Sequence, residues 1–378
     1  MSLLAKLLQV LKKADFTCPP KAEILIFDDG GSDILSNLIL YKMEYSVLHA
    51  RYEKFHISIE IFYNFMRNFI FKYLRYRKCR SLYFVYLLSC MEYIKPKVVL
   101  TFIDNNFLFH MLSSAYPEAD FFTIQNGTRR RISLPSPRLF GTVFPISNYV
   151  CFGNNEMDFF RQQGYVVDKF HPVGSLIGGY YKSKTFGERP ETNYDLCLVS
   201  QWRHSIMVAN QLPDFKTSVI ILDAFIKKFI GETKLRLCIA TCSCDRQEED
   251  YFKGIYGNHA PLIKFNRQIF STYSAMSNSS VIVSLTSTAA YEAFGWGKKV
   301  LFCNFSDDRS MDFPVQGFWS LADNRYESFK SRLEYLLSLD HSKYVELTRE
   351  AVRYVMNYDF QMPAHMYLRR LIFDRMNN

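Results

Sequence analysis

Several absences narrow the field before any motif is read. The chain of 378 residues has no uninterrupted apolar run of roughly 18–20 residues, the length a membrane span requires. Its nine cysteines are scattered, odd in number and without paired CxxC spacing. That argues against a disulfide framework and for reduced thiols in a cytosolic compartment. Cys242-Ser243-Cys244 is the only close pair, and it lacks the further ligands a metal site needs. There is no GxGxxG, so no dinucleotide site is inferred, and no Asp-x-Asp pair stands in a convincing loop. Helix-turn-helix, RNP and zinc spacings are missing too, which counts against nucleic acid as a partner. Nor does the N-terminus carry a secretory pattern: Lys12 and Lys13 follow the apolar stretch, and no small-residue cleavage site succeeds it.

What is present is basic and aromatic. A net charge of +9 favours anionic partners, and 34 Phe with 25 Tyr allow both large cores and exposed aromatic surface. In "MSLLAKLLQVLKK" the residues Leu3, Leu4, Leu7, Leu8 and Leu11 share one helical face, which fits a membrane interface or packing on the protein itself. Residues 57–94 read as helical and rich in Phe, Tyr and basic residues, including "FKYLRYRKCR". They fit a solvated helix face, or a patch laid against a membrane or a polymeric acceptor.

The length predicts two domains. "AEILIFDDGGSD" (22–33) reads as a strand, a glycine turn and a helix; "KPKVVLTFIDNN" (95–106) and "ADFFTIQNG" (119–127) are further strands. The pattern restarts at "YDLCLVSQWR" (194–203) and continues through "LRLCIATC", "SVIVSLTS" and "KKVLFCNF". Strands alternating with helices mean parallel sheets, so the fold class is α/β with two Rossmann-like halves. The division expected is 1–175 and 176–378, with the final helices free to cross back.

In open parallel sheets, ligands bind beyond the carboxyl ends of the strands. "SLTSTAAYEAFGWGKKVLF" (284–302) ends a strand with Thr286, Ser287 and Thr288 at a helix start, and places Glu292 about one turn later. Hydroxyls and free N–H groups there suit a phosphate, and a carboxylate one turn on could reach ribose hydroxyls. A capped helix with a surface Glu fits the same letters.

This stretch resembles the nucleotide-sugar motif in the C-terminal domain of GT-B glycosyltransferases, with Gly297-Lys298-Lys299-Val300 matching the small strand that follows. The resemblance extends along the chain: "PVGSL" (172–176) is similar to the interdomain joint, and "LVSQWR" (198–203) to the first C-terminal strand. It implies two Rossmann-like domains facing across a cleft, with Ser200, Gln201 and Arg203 on the donor side; Arg203 could pair with a phosphate bidentately. "FIDNN" (102–106) and "TIQNGTRR" (123–130) resemble acceptor-domain motifs of bacterial surface-carbohydrate transferases, which are similar in turn to the retaining β-Kdo transferases that use CMP-linked ulosonic acids.

That narrower resemblance implies Asp104 at the cleft as nucleophile or base. It places Asn105, Gln125, Asn126 and Gly127 along the opposite wall and turns Arg129 or Arg130 toward the donor's carboxylate or phosphate. Asp28, Asp29 and Glu60 are candidates for a second carboxylate, since retaining transfer through an oxocarbenium-like transition state needs a nucleophile and a group to handle the proton. Asp104 also fits an Asx turn. His171 precedes the domain joint and reads as a core or linker histidine. The implied function is transfer of a CMP-linked 3-deoxy-ulosonic acid such as Kdo to a lipid-linked surface glycan, at the inner face of the cytoplasmic membrane. No cofactor and no obligatory metal are expected. Alternatives are a CDP-glycerol or polyol-phosphate transferase, with His56 or His110 as base, a UDP-sugar transferase, or a basic lipid- or nucleic-acid-binding protein.

Overall fold

The computed structural model describes residues 12–51, 53–71, 81–129, 138–139, 142–143, 145–188 and 191–377. The leucine face of the first eleven residues, the basic part of the 71–80 stretch and Arg130 lie outside them. Among the described residues no helix is long and apolar enough to cross a membrane.

Two six-stranded parallel sheets organise the chain. In the first lobe β1 (Ile24–Phe27), β2 (Ser46–Leu48), β3 (Val98–Thr101), β4 (Asp120–Ile124), β5 (Ile146–Cys151) and β6 (Val167–Pro172) run in the order β6-β5-β4-β3-β1-β2. In the second, β7 (Tyr194–Val199), β8 (Leu237–Ala240), β9 (Leu262–Ile263), β10 (Ser279–Ser284), β11 (Lys299–Cys303) and β12 (Ser320–Leu321) run β9-β8-β7-β10-β11-β12. The strand order reverses between β1 and β3 in the first lobe and between β7 and β10 in the second. At such points loops diverge and leave a crevice for a ligand.

The strands form because their residues have two apolar faces to bury. Leu25 and Phe27 of β1 enter one core with α3 (Leu82–Ile94) and α4 (Phe107–Ala115). Ile24 and Ile26 enter another on the opposite face, with α1 (Ser32–Leu38). This is the period-two alternation of a strand covered on both sides. Helix α2 (Ile59–Phe71) packs on α3 and reaches that core through Ile61 and Phe65. The second lobe has one large core under α7 (His204–Met207), α8 (Pro213–Thr233), α9 (Arg246–Tyr256), α10 (Ser271–Ser277), α11 (Thr288–Gly295), α12 (Tyr326–Ser338) and α13 (His341–Val355).

The lobes are joined at several points among the described residues. Helix α6 (Leu176–Lys184) buries Leu176 in the first lobe while Gly178 lies against Glu292 of the second. The Tyr354 hydroxyl of α13 donates to Asp158 of α5 (Asn154–Gln162) at 2.9 Å. The last helix, α14 (Ala364–Met376), buries Ala364, Leu368 and Ile372 against Ile24, Ile26, Val98 and Leu100 of the first sheet. Arg375 pairs there with Asp120 at 3.2 Å. The second sheet opens at Tyr194, and the final helix, α14, crosses back into the first lobe's core.

Candidate active site in the cleft

A cavity of about 550 Å³ lies where the carboxyl ends of both sheets meet. From the second lobe it is lined by Ser200, Gln201, Arg203, Cys242, Thr286, Ser287 and Thr288, and from the first by Asn126, Gly127, Thr128 and Arg129. Apart from Cys242, which follows β8, these second-lobe groups follow β7 and β10, the two strands flanking the reversal.

Each wall is held from behind. The Gln201 side chain ties the two strand ends together: its Oε1 accepts the Thr286 N–H at 2.6 Å and its Nε2 donates to Thr286 Oγ1 at 3.2 Å. Ser200 Oγ donates to the buried Glu248 at 2.5 Å. Glu248 also accepts the N–H groups of Cys242 at 2.9 Å and Ser243 at 3.0 Å, and the Ser243 hydroxyl at 2.8 Å. One buried carboxylate thus fixes both the β7 loop and the β8 loop, with its charge satisfied by four donors.

Two groups on this side remain available. Ser287 precedes α11 with no side-chain cap, and Ser287 and Thr288 at that helix start line the cavity; a helix start, whose first N–H groups no helical carbonyl can reach, favours an anion. Arg203 is exposed and, among the described residues, makes no ion pair or side-chain hydrogen bond.

The first-lobe wall is a network centred on Arg129. Its Nε donates to Asp104 Oδ2 at 2.6 Å, and its Nη2 bonds both Asp104 Oδ1 and, at 2.6 Å, Asn126 Oδ1. The Tyr149 hydroxyl donates to Asp104 at 2.8 Å, and Asn126 Nδ2 donates to the Phe102 carbonyl at 2.7 Å. Burial works against the Arg129 charge, but the Asp104 carboxylate more than offsets it and raises its pKa further. The loop then touches the second lobe: the Thr128 N–H donates to Thr288 Oγ1 at 3.1 Å. A Cβ on Gly127 would meet that same oxygen at 3.3 Å, so the close approach favours glycine.

Beyond Thr128, Arg129 and Thr286 lies a smaller chamber of about 210 Å³, lined also by Asn155, Glu156, Tyr291, Ser310 and Asp312. Glu156 is buried, and burial pushes its carboxyl up to about 7 despite hydrogen bonds from Gln125 Nε2 at 3.3 Å and the Gly153 N–H at 3.2 Å. A carboxyl poised near neutrality beside a cleft is suited to moving protons.

The structure brings together nine of the expected residues at the main cavity: Ser200, Gln201, Arg203, Thr286, Ser287, Thr288, Asn126, Gly127 and Arg129. It displaces others. Asp104 does not face the cleft, because its side chain is fully covered and engaged by Arg129 and Tyr149; it positions Arg129. Asp28 is likewise covered, its carboxylate held by Arg51 at 2.7 Å and by the Gly30 N–H at 2.8 Å. Asp29 pairs with His49 at 2.9 Å. Glu60 is exposed and accepts from Cys18 Sγ at 3.4 Å, close to Lys21, which lies over Tyr93. Lys21 and Tyr93 precede β1 and β3, so Glu60 is on the wrong edge of the sheet.

Glu292 is buried away from the cavity, where it accepts the Tyr273 hydroxyl at 2.7 Å and the Ser175 hydroxyl; burial raises it to about 7. It braces the joint between the lobes instead of reaching a ribose. Gln125 lies behind the wall, donating to the Gly127 carbonyl at 2.9 Å and accepting the Phe152 N–H at 3.0 Å. Asn105 is exposed and lines neither chamber. His171 is buried between Tyr367 and Asn148, as a core histidine. Glu156, Glu248, Tyr149 and Asp312 were not marked by the sequence. Only Glu156 had a local signal, standing at the third helical position after Gly153 as in a capping box.

Comparison with known proteins gives two findings. A family profile described as "putative O-antigen biosynthesis protein" matches residues 122–370, about two thirds of the chain. No protein with a curated description matches. Among solved structures the chain is similar to the UDP-GlcNAc 2-epimerase from Neisseria meningitidis bound to UDP-GlcNAc (TM-score 0.52, 14% identity, 94% of this chain and 99% of that one). It is also similar to S. aureus MnaA with UDP (TM-score 0.56, 12% identity, 95% and 96%). A third likeness is to the wall teichoic acid polymerase TagF soaked with CDPG (TM-score 0.50, 10% identity, 98% and 92%). Together with the two parallel sheets they establish the fold as GT-B: two Rossmann-like domains facing across a cleft.

Proposed function

The chain belongs to this family of O-antigen biosynthesis proteins, and from that premise we propose that it is a glycosyltransferase. It moves a sugar from a nucleotide-activated donor to a lipid-linked surface glycan at the inner face of the cytoplasmic membrane. The observation that carries the reading is the cavity at the second lobe's reversal point, where the uncapped start of α11 and the unpaired Arg203 converge. Helix-start N–H groups and a guanidinium are a setting for phosphate oxygens and stabilise the charge that develops on a leaving nucleotide.

In the reaction the bond between the anomeric carbon and the donor's phosphate oxygen breaks, and the nucleotide departs with the electron pair. The acceptor hydroxyl oxygen forms the new glycosidic bond, and its proton passes to a carboxylate. Glu156, with its acid held near 7 beside the cleft, supports that role, and Arg129 stands between it and the phosphate setting. Retention through a carboxylate nucleophile would draw on Glu156 or Asp312 of the smaller chamber, since Asp104 is withdrawn.

For the donor, a CMP-linked 3-deoxy-ulosonic acid is the proposal. Its single bridging phosphate suits one helix start and one free guanidinium. A UDP-sugar is the second reading, favoured by the fold shared with two UDP-bound proteins. CDP-glycerol is a third, favoured by the fold shared with the CDPG-soaked polymerase. Calorimetry with CMP, CDP and UDP, followed by turnover with CMP-Kdo, UDP-GlcNAc and CDP-glycerol, separates them. CMP binding with CMP-Kdo turnover is expected. Turnover of another donor alone replaces the donor assignment, and no nucleotide binding overturns the transferase reading.

A further inference from the structure

Helix α2 carries two apolar faces. Toward α3 it buries Ile61 and packs Phe65 on the first-lobe core. Polar side chains share that side: Asn68, 1% exposed, donates to Ser89 Oγ at 3.1 Å and to Glu92 at 2.8 Å, and Arg67 donates to Glu92 at 2.6 Å. Asn64 donates to the Ser89 carbonyl at 3.5 Å. The side toward solvent is apolar as well. Ile59 is 86% exposed, Phe62 62%, Tyr63 66%, Met66 40% and Ile70 51%, at positions three and four apart that align along the helix. A solvated helix of a self-contained lobe carries one apolar stripe, with polar residues opposite. Leaving this many large apolar side chains in water is unfavourable by an amount proportional to their area, which marks the face as one that another surface covers.

The sequence that follows the face bears on what that surface is. Directly after α2 along the chain, residues 71–80 contain five Lys or Arg and no Asp or Glu. Such a run favours an anionic lipid leaflet, which also accepts Phe, Tyr and Ile at its interface, over a second copy carrying the same charge. We propose that the outward face of α2 is the surface by which this protein docks on an anionic lipid bilayer. This deepens the reading of a transferase with a lipid-linked acceptor, and rests on it for the identity of the occupant.

The test is co-sedimentation of the full chain with vesicles of phosphatidylcholine alone and of equal parts phosphatidylcholine and phosphatidylglycerol. It is repeated with the F62S/Y63S/I70S variant, whose three sites are solvent-facing and leave the Asn68 contacts intact. The wild-type chain is expected to sediment with the mixed vesicles and far less with the neutral ones, and less as salt is raised. The variant's partition coefficient should fall at least ~tenfold, with its circular dichroism and nucleotide affinity unchanged. A wild-type chain that stays in the supernatant overturns the proposal, as does a variant that sediments like it. A wild-type dimer that the variant converts to monomer, without vesicle binding, overturns it in favour of a second copy. Vesicle binding by a chain that binds no nucleotide sinks the transferase reading and leaves this one standing.

Discussion

The two reversal points of the molecule are built alike and finished differently. Beyond β1 and β3 the first lobe presents carboxylates, and arginines close them: Arg51 holds Asp28 and Arg129 holds Asp104. Beyond β7 and β10 the second lobe presents hydroxyls, a helix start and an arginine that nothing closes. The same topology thus yields one crevice whose charge is neutralised internally and one whose positive character is left for a ligand. The sheet supplies the location, and the pairing state of a few side chains decides which lobe keeps an anion.

The contrast can be attacked where it is strongest. Asp104→Ala strands a nearly covered guanidinium and is expected to lower stability by about 3–5 kcal/mol, read as a shift of the denaturation midpoint. Asp28→Ala should cost less than half of that, because Arg51 is half exposed and returns to water. Equal losses would show that the two pairs are not different in kind.

Glu156→Gln removes the ionisable group and leaves one acceptor oxygen for the two N–H donors that Glu156 accepts. Transfer should fall by roughly 10²–10⁴-fold with little change in nucleotide affinity, and the unmet donor should cost about 1–3 kcal/mol of stability. Arg203→Ala tests the open crevice. Nucleotide affinity by calorimetry should drop about ten- to a hundredfold, while stability stays within about 0.5 kcal/mol, since no contact is lost in the free protein.

The mildest test concerns the joint. Glu292 has its acid raised by burial to about 7, above the ordinary value of 4.5, so the folded state holds a proton that the unfolded chain releases. Stability from this group is complete below about pH 4.5 and is lost as pH rises toward 7. Glu292→Gln cannot ionise, so relative to wild type it should gain stability between pH 5 and pH 8, measured as paired melting curves. A flat difference would remove Glu292 from the set of neutral buried acids.

Much of the fold was readable because central strands bury both faces. β1, β3, β4, β7, β8, β10 and β11 are short apolar runs ending in Gly, Asn, Ser or Thr, and each was marked. The edge strands β2, β6 and β12 were not. "VDKFHP" sets the exposed Asp168 and Lys169 side by side near its start, so no apolar run forms. The cavity walls at 126–129, 200–203 and 286–288 were readable for the reason the topology gives: polar residues directly after buried strands end up at the crevice.

What sequence could not convey was which carboxylates are covered. Asp104 and Glu156 look alike in one dimension. The difference arises from Arg129 and Tyr149 folding over the first, and from an adjoining chamber beside the second. Glu292 misled for a related reason: only the first turn of α11 opens to the cavity, and a position one turn later already faces α6 and the joint.

The final helix has a bearing on how the molecule is made. Because α14 supplies Ala364, Leu368 and Ile372 to a sheet whose first strand is Ile24–Phe27, the amino-terminal lobe lacks part of its covering until the chain has been made past residue 372. The carboxy-terminal lobe can gather its own strands sooner. On the ribosome, the half that emerges first is therefore completed last, and a premature stop before residue 364 would leave an apolar sheet face bare in the newborn chain.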